Sequence, residues 1–182
     1  MKNIAVVCLV ACLLAGCGTF GFLRSSKGGD AGVPVDALKA VASEIEMAVA
    51  AGQRDLNLAD RDGVKINSPE IAQALRTRAV RHELVSNLMD TGFAWERPNG
   101  RIAILRSSAY KKATTSQERD RNALLIMNEN QNRWTLYEGL IALNHWPSKA
   151  LPVIERAFSE SCKASLKSGQ KFENESGKPQ AK

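Results

Sequence analysis

The first seventeen residues decide how much of this chain is left to fold. A lysine stands at the start (Met1-Lys2-Asn3), an uncharged apolar run follows from Ile4 to Leu14, and Ala15-Gly16-Cys17 closes it. A basic start, a short apolar stretch and small residues before a cut site are the parts of a secretory signal peptide. The run is too short to remain as a spanning helix, which needs about 20 apolar residues. Residues 1–16 are therefore expected to be a removed leader, with the folded domain beyond it.

The pattern Leu14-Ala15-Gly16-Cys17 resembles the lipobox of bacterial lipoproteins. In that class the cysteine thiol receives a diacylglycerol, the chain is cut before it, and the freed amine is acylated. The resemblance implies lipidation at Cys17 and attachment to a membrane through that residue. Gly18 follows the cysteine. In Gram-negative lipoproteins an Asp there marks retention in the inner membrane, so Gly18 implies the periplasmic face of the outer membrane, with inner-membrane anchoring as the alternative.

The remaining cysteines sort by position. Cys8 and Cys12 leave with the leader, and only Cys162 stays free in the mature chain, which excludes an intramolecular disulfide. Cys162 lies in a helical pattern among small residues, where a buried, inert thiol competes with a reactive one. The formal charge of +6 falls by one when Lys2 departs. Such an excess suits work beside anionic headgroups and suits plain solubility equally. It is too diffuse to argue for nucleic acid, and export argues against that partner. Aromatic residues make up only 5% of the chain, so the core must rest on Leu, Ile, Val and Ala.

Residues 17–33 hold five glycines and two serines and read as a flexible tether, with a reach of roughly 20 Å. Helical spacing begins at Pro34 and runs to about Ala51. A connector over 53–67 contains the turn pair Asp62-Gly63, with Val64 and Ile66 as a very short strand. Asp60-Arg61-Asp62-Gly63 suggests a calcium loop, but the required acids at the first and twelfth positions are Leu58 and Pro69, so no metal site is read there. Ser68-Pro69-Glu70 opens a second helix with a cap, a proline and an acid in order. Its apolar positions are Ile71, Leu75, Ala79, Val80, Leu84, Val85 and Leu88, and Gly92 stops it. Short extended runs on either side of Pro98-Asn99-Gly100 predict a hairpin. Residues 106–114 read as a polar connector anchored by Tyr110.

The longest helical pattern spans about Ser116 to Asn144, capped by Thr115 with Glu118 completing a capping box. Leu124, Leu125, Met127, Trp134, Tyr137, Leu140 and Ile141 supply its apolar side. The run Asn128-Glu129-Asn130-Gln131-Asn132-Arg133 is very polar for a helix middle. It is either a solvent-facing turn or kink, or a polar patch beside Trp134 and Tyr137. Gly139 costs about 1 kcal/mol relative to Ala, which predicts close approach by another element. A last helix runs from about Ser148 to Leu166, and residues 167–182 read as a disordered tail. The expected fold is mainly α: one helical domain over 34–166, of about four helices with a short hairpin near 93–105.

Asn130-x-x-Arg133-x-x-x-Tyr137, followed by Leu140-Ile141, Asn144, Pro147 and Gly169, resembles the YdbL-like family of periplasmic proteins. Upstream, Arg76, Arg78, Arg81, Gly92, Glu96 and Gly100-Arg101-Ile102-Ala103 stand in matching order, although Trp95 occupies a position where the family usually has glycine. The likeness covers about residues 66–170. The family is largely of unknown function, and some members work beside AsmA-like intermembrane proteins and small outer-membrane lipoproteins in envelope lipid transport. The resemblance thus implies an envelope protein as partner, contacted through Asn130, Arg133, Tyr137 and Glu96. Glu96 and Arg133 also invite an architectural reading as an ion pair.

No chemistry-bearing constellation competes with a binding role. His82 and His145 are far apart and lack a Cys or paired carboxylates at ligand spacing. No P-loop, dinucleotide fingerprint or Gly-x-Ser-x-Gly occurs. The expectation is therefore a lipid-anchored binding or assembly protein without catalytic residues, metal, cofactor or identified small-molecule substrate. The alternative is a lipoprotein that grips an anionic envelope polymer through Arg78, Arg81, Lys111 and Lys112, where the bland reading of Arg78, Arg81 and His82 is a solvated helix face.

Overall fold

The computed structural model describes residues 31–56 and 59–182. The leader over 1–16, the lipidation site Cys17 and the tether through residue 30 lie outside the described residues. The described part is mainly α, with five α-helices and a small sheet. The helices are α1 (Val35–Ala50), α2 (Pro69–Asp90), α3 (Ser108–Ala113), α4 (Ser116–Leu143) and α5 (Leu151–Ser165), with a 3-10 turn at Ser148–Ala150 before the last. The strands are β1 (Ala94–Glu96), β2 (Ile102–Ile104), β3 (Lys171–Glu173) and β4 (Pro179–Ala181), in the spatial order β2-β1-β3-β4.

Local sequence chemistry sets the helix starts. Ser68 accepts from the Ile71 amide and Pro69 follows it, so α2 begins where its proline lacks a donor that nothing would satisfy. Thr115 and Glu118 form the reciprocal capping box of α4. α2 packs along α4, and α1 along α5. Gly139 marks a tight contact between α4 and α2: a Cβ there would lie 2.8 Å from Ile71 Cγ1.

Two apolar clusters result. The larger joins Leu38, Ile45 and Val49 of α1, Ile71 and Leu75 of α2, Leu136 and Leu140 of α4, and Ile154 and Phe158 of α5. The smaller joins Val85 and Met89 of α2 to Ala94, Ile102, Ile126 and Leu166. Along both α2 and α4 the two clusters are separated by charged residues, which form the site described below.

Several sequence expectations need correction. Val80 and Leu84 are exposed, because Val80 lies about 140° round the helix from Leu75. Leu124 and Met127 are exposed too, since the buried stripe of α4 runs through Ile126, Glu129, Arg133 and Tyr137 and includes charged residues. The connector after β2 contains the short helix α3, with Tyr110 buried as its anchor. Val64 and Ile66 are buried but form no strand, only a single bridge from Arg61 to Val64 across the Asp62-Gly63 turn. Val33, placed in the tether, is buried against the larger cluster.

The C-terminal tail is the largest correction. It is a hairpin, and β3 pairs in parallel with β1. Polar and cationic side chains dock it instead of an apolar stripe. Gln170 donates to Ser86 and Asp90, Lys171 donates to the Gly92 carbonyl, and Lys163 lies 3.8 Å from the Phe172 ring centre. Glu173 accepts from Trp95 of β1 and from Arg97 just beyond it.

Candidate functional site

Four of the elements send one or two charged side chains into the gap between the apolar clusters. Glu46 comes from α1, Arg78 from α2, Glu96 from β1, and Glu129 with Arg133 from α4. They form an alternating ladder. Arg78 grips both oxygens of Glu46 through Nη1 and Nη2, each at 2.8 Å, and donates Nε to Glu129 Oε1 at 2.9 Å. Arg133 donates Nε to the same Glu129 oxygen at 2.8 Å and forks onto Glu96 at 2.7 and 2.9 Å. Arg133 Nη1 and the Tyr137 hydroxyl both donate to the Gly100 carbonyl. All five charged residues are buried, Arg78 to 1% exposure.

The electrostatics follow from this alternation. Burial alone would raise the Glu46 and Glu129 carboxyls, because a charged group loses its hydration. Arg78 outweighs that at Glu46, whose carboxyl is held below its ordinary value. At Glu129 burial is opposed by Arg78 and Arg133 together, and the carboxyl is held down at about 2. Burial opposes the charge on both guanidiniums as well, and the facing carboxylates more than restore it. Glu46, Glu129 and both arginines are thus held in their charged forms, and each charge in the ladder is answered by a bidentate or shared hydrogen bond.

This geometry reassigns the expected partner-binding residues. Glu96, Arg133 and Tyr137 are interior, so no partner reaches them in the folded chain. Their pairing is the architectural alternative. Asn130 is only partly buried, and its amide works inside the fold: it accepts from the Ile102 amide at 2.8 Å and donates to the Ile102 carbonyl at 2.9 Å. It therefore stands where the next residue of a strand would stand, beside β2. Gly100 is fixed here by close approach and backbone shape. Its φ is +66°, and a Cβ would fall 2.5 Å from the Tyr137 hydroxyl.

The basic helix face also changes. Arg78 is in the ladder and unavailable to an anionic polymer, Arg81 is half-buried, and Lys111 and Lys112 are exposed on α3. Cys162 is buried next to the ladder, and burial pushes its thiol well above the ordinary range, which leaves it a protonated, inert side chain.

A second site takes in two of the candidate contacts read from the sequence, Asn130 and Lys111, together with residues the sequence did not single out. β2, α3 and α4 enclose an open groove of about 860 Å³, within the size range of ligand clefts. Ile104, Ile126, Met127 and Trp134 give it an apolar wall. Arg101, Arg106, Lys111 and Arg119 surround that wall, against the single acid Asp120. Arg101 stacks 5.0 Å from the Trp134 ring centre, and Arg119 donates to the Thr114 carbonyl at 2.6 Å. Among the described residues none of these four cations is paired with a carboxylate, a state they share with other surface cations such as Arg54, Lys65 and Arg156. Met127 is 60% exposed within it. No helix among the described residues is long and apolar enough to cross a membrane.

Comparisons with protein-family models, with curated proteins and with solved structures returned no match for this chain.

Proposed function

We propose that this chain is a binding module of the bacterial envelope, held at the outer membrane by an acylated Cys17 and working through the groove between β2, α3 and α4. One observation carries the reading: the groove gathers four cations without carboxylate partners around exposed apolar surface, while Arg133 and Tyr137 of the Asn130–Tyr137 motif are spent on holding the fold. Cations without carboxylate partners beside an exposed Met127 and a half-buried Trp134 favour a partner over plain solubility, since isolated surface charges do not need a concave apolar floor. The leader and the lipobox-like Cys17 support membrane attachment, and Gly18 supports the outer membrane. The likeness over residues 66–170 to YdbL-like proteins supports an accessory role beside an AsmA-like lipid-transport protein.

The test is site-specific photo-crosslinking in cells, with the photoreactive residue placed at Met127 in the groove or at Met47, which is 61% exposed on α1. An adduct with an envelope protein from position 127 and none from position 47 is expected. Equal adducts from both positions, or adducts from position 47 alone, would remove the groove from the function.

A further inference from the structure

We propose that the groove takes an extended acidic segment of a partner protein, which adds as a strand to the open edge of β2. This rests on the groove being the working face and names what enters it.

The pairing register supplies the first argument. In the antiparallel ladder Leu105 donates to Phe93 and Arg97 donates to Arg101, so hydrogen-bonded pairs fall at residues 101, 103 and 105 of the second run. The alternation then turns the N–H and C=O of Ile102 and Ile104 away from β1. Ile102 is satisfied by the Asn130 amide, which donates and accepts as a strand residue does. Ile104 is the next outward residue on that edge, and it lines the groove. Among the described residues neither its amide nor its carbonyl has a partner. A strand edge that stops at a side-chain mimic and continues as bare backbone into a cleft is a docking template for extended chain.

Charge supplies the second. Arg101, Arg106, Lys111 and Arg119 outnumber Asp120 around that edge. An incoming strand with acids on one face and apolar side chains on the other matches both surfaces, with its apolar face on Ile104, Ile126 and Met127. An anionic lipid would satisfy the cations and the apolar wall but has no use for the Ile104 backbone pair, which is why a peptide is favoured.

The probe is the full chain with a synthetic hexapeptide alternating Glu and Val, blocked at both ends. Hydrogen exchange of the backbone amides is the measurement. The expected result is slowing of the Ile104 amide by about tenfold or more on saturation, with no change at Ile102, already bonded to Asn130. The same peptide N-methylated at alternate amides should not protect Ile104, and Arg106→Glu with Lys111→Glu should weaken binding by about tenfold. Equal binding of the N-methylated peptide would overturn strand addition. So would groove binding confined to phosphatidylglycerol vesicles with the peptide inert, since that assigns the groove to a lipid. If position 127 still yields a protein adduct in cells while the peptide leaves Ile104 unprotected, the groove remains the working face and only the strand mode falls.

Discussion

At the scale of single residues, this chain separates charges that hold it together from charges that face outward. Removing one member of a buried, hydrogen-bonded pair leaves its partner desolvated and costs about 3–5 kcal/mol, although a well-packed apolar substitute for the whole pair often costs nothing. The ladder is therefore less a source of net stability than a device that fixes which residues of α1, α2, α4 and β1 stand opposite one another. Glu129 gives it a pH dependence. Its carboxyl sits at about 2 in the fold against an ordinary 4.5. A depressed carboxyl contributes stability that is full above the unfolded value and is lost as pH falls through the folded one. Unfolding free energy should then drop by roughly 3 kcal/mol on this group's account between about pH 4.5 and pH 2. Glu46 acts in the same direction. Urea unfolding across that window measures it, and Glu129→Gln should flatten the slope while lowering stability at neutral pH. An unchanged slope in that variant would assign the acid sensitivity elsewhere.

At the scale of elements, the helices were legible because capping and periodicity are local. Ser68, Thr115 with Glu118, and Gly139 each did what its neighbours in sequence predicted. The Gly139 contact gives a direct check: Gly139→Ala should gain about 1 kcal/mol in helix propensity yet lose more, because its Cβ would strike Ile71 at 2.8 Å. A thermal melt should show net destabilisation of about 1–2 kcal/mol, and the double variant with Ile71→Val should recover part of it. The middle of α4 stays ambiguous in sequence because its buried stripe passes through Glu129 and Arg133. A count of apolar residues skips those positions, and only their i,i+4 spacing hinted at a pair. The C-terminal strands were illegible for a different reason. β3 has one aromatic and no alternating pattern, and its docking depends on Gly92, Ser86, Asp90 and Trp95, about eighty residues earlier. Removal of residues 167–182 should cost about 2 kcal/mol or more by stripping β1 of its parallel partner. A truncated chain that melts with the full one would show the hairpin to be an appendage.

At the scale of the whole molecule, two apolar clusters meet across a layer of ions, with a basic groove on one flank. The sequence carried half of that plan. The motif around Asn130, Arg133 and Tyr137 stands out because its residue types are unusual in a helix: Arg133 and Tyr137 are interior polar groups, and the Asn130 amide bonds the edge of β2. The groove gave only a partial signal: Lys111 and Asn130 stood out singly, but Arg101, Arg106, Lys111 and Arg119 share neither a helix face nor a strand face, and only folding brings them around Trp134. The division of labour between ladder and groove is tested most directly by urea unfolding of two variants side by side, Arg133→Ala and Arg106→Glu with Lys111→Glu. Arg133→Ala should lose about 3–5 kcal/mol, and the groove variant should stay within about 0.5 kcal/mol of the parent. An Arg133→Ala chain as stable as the parent would contradict the ladder's structural role and return Arg133 to the surface a partner touches.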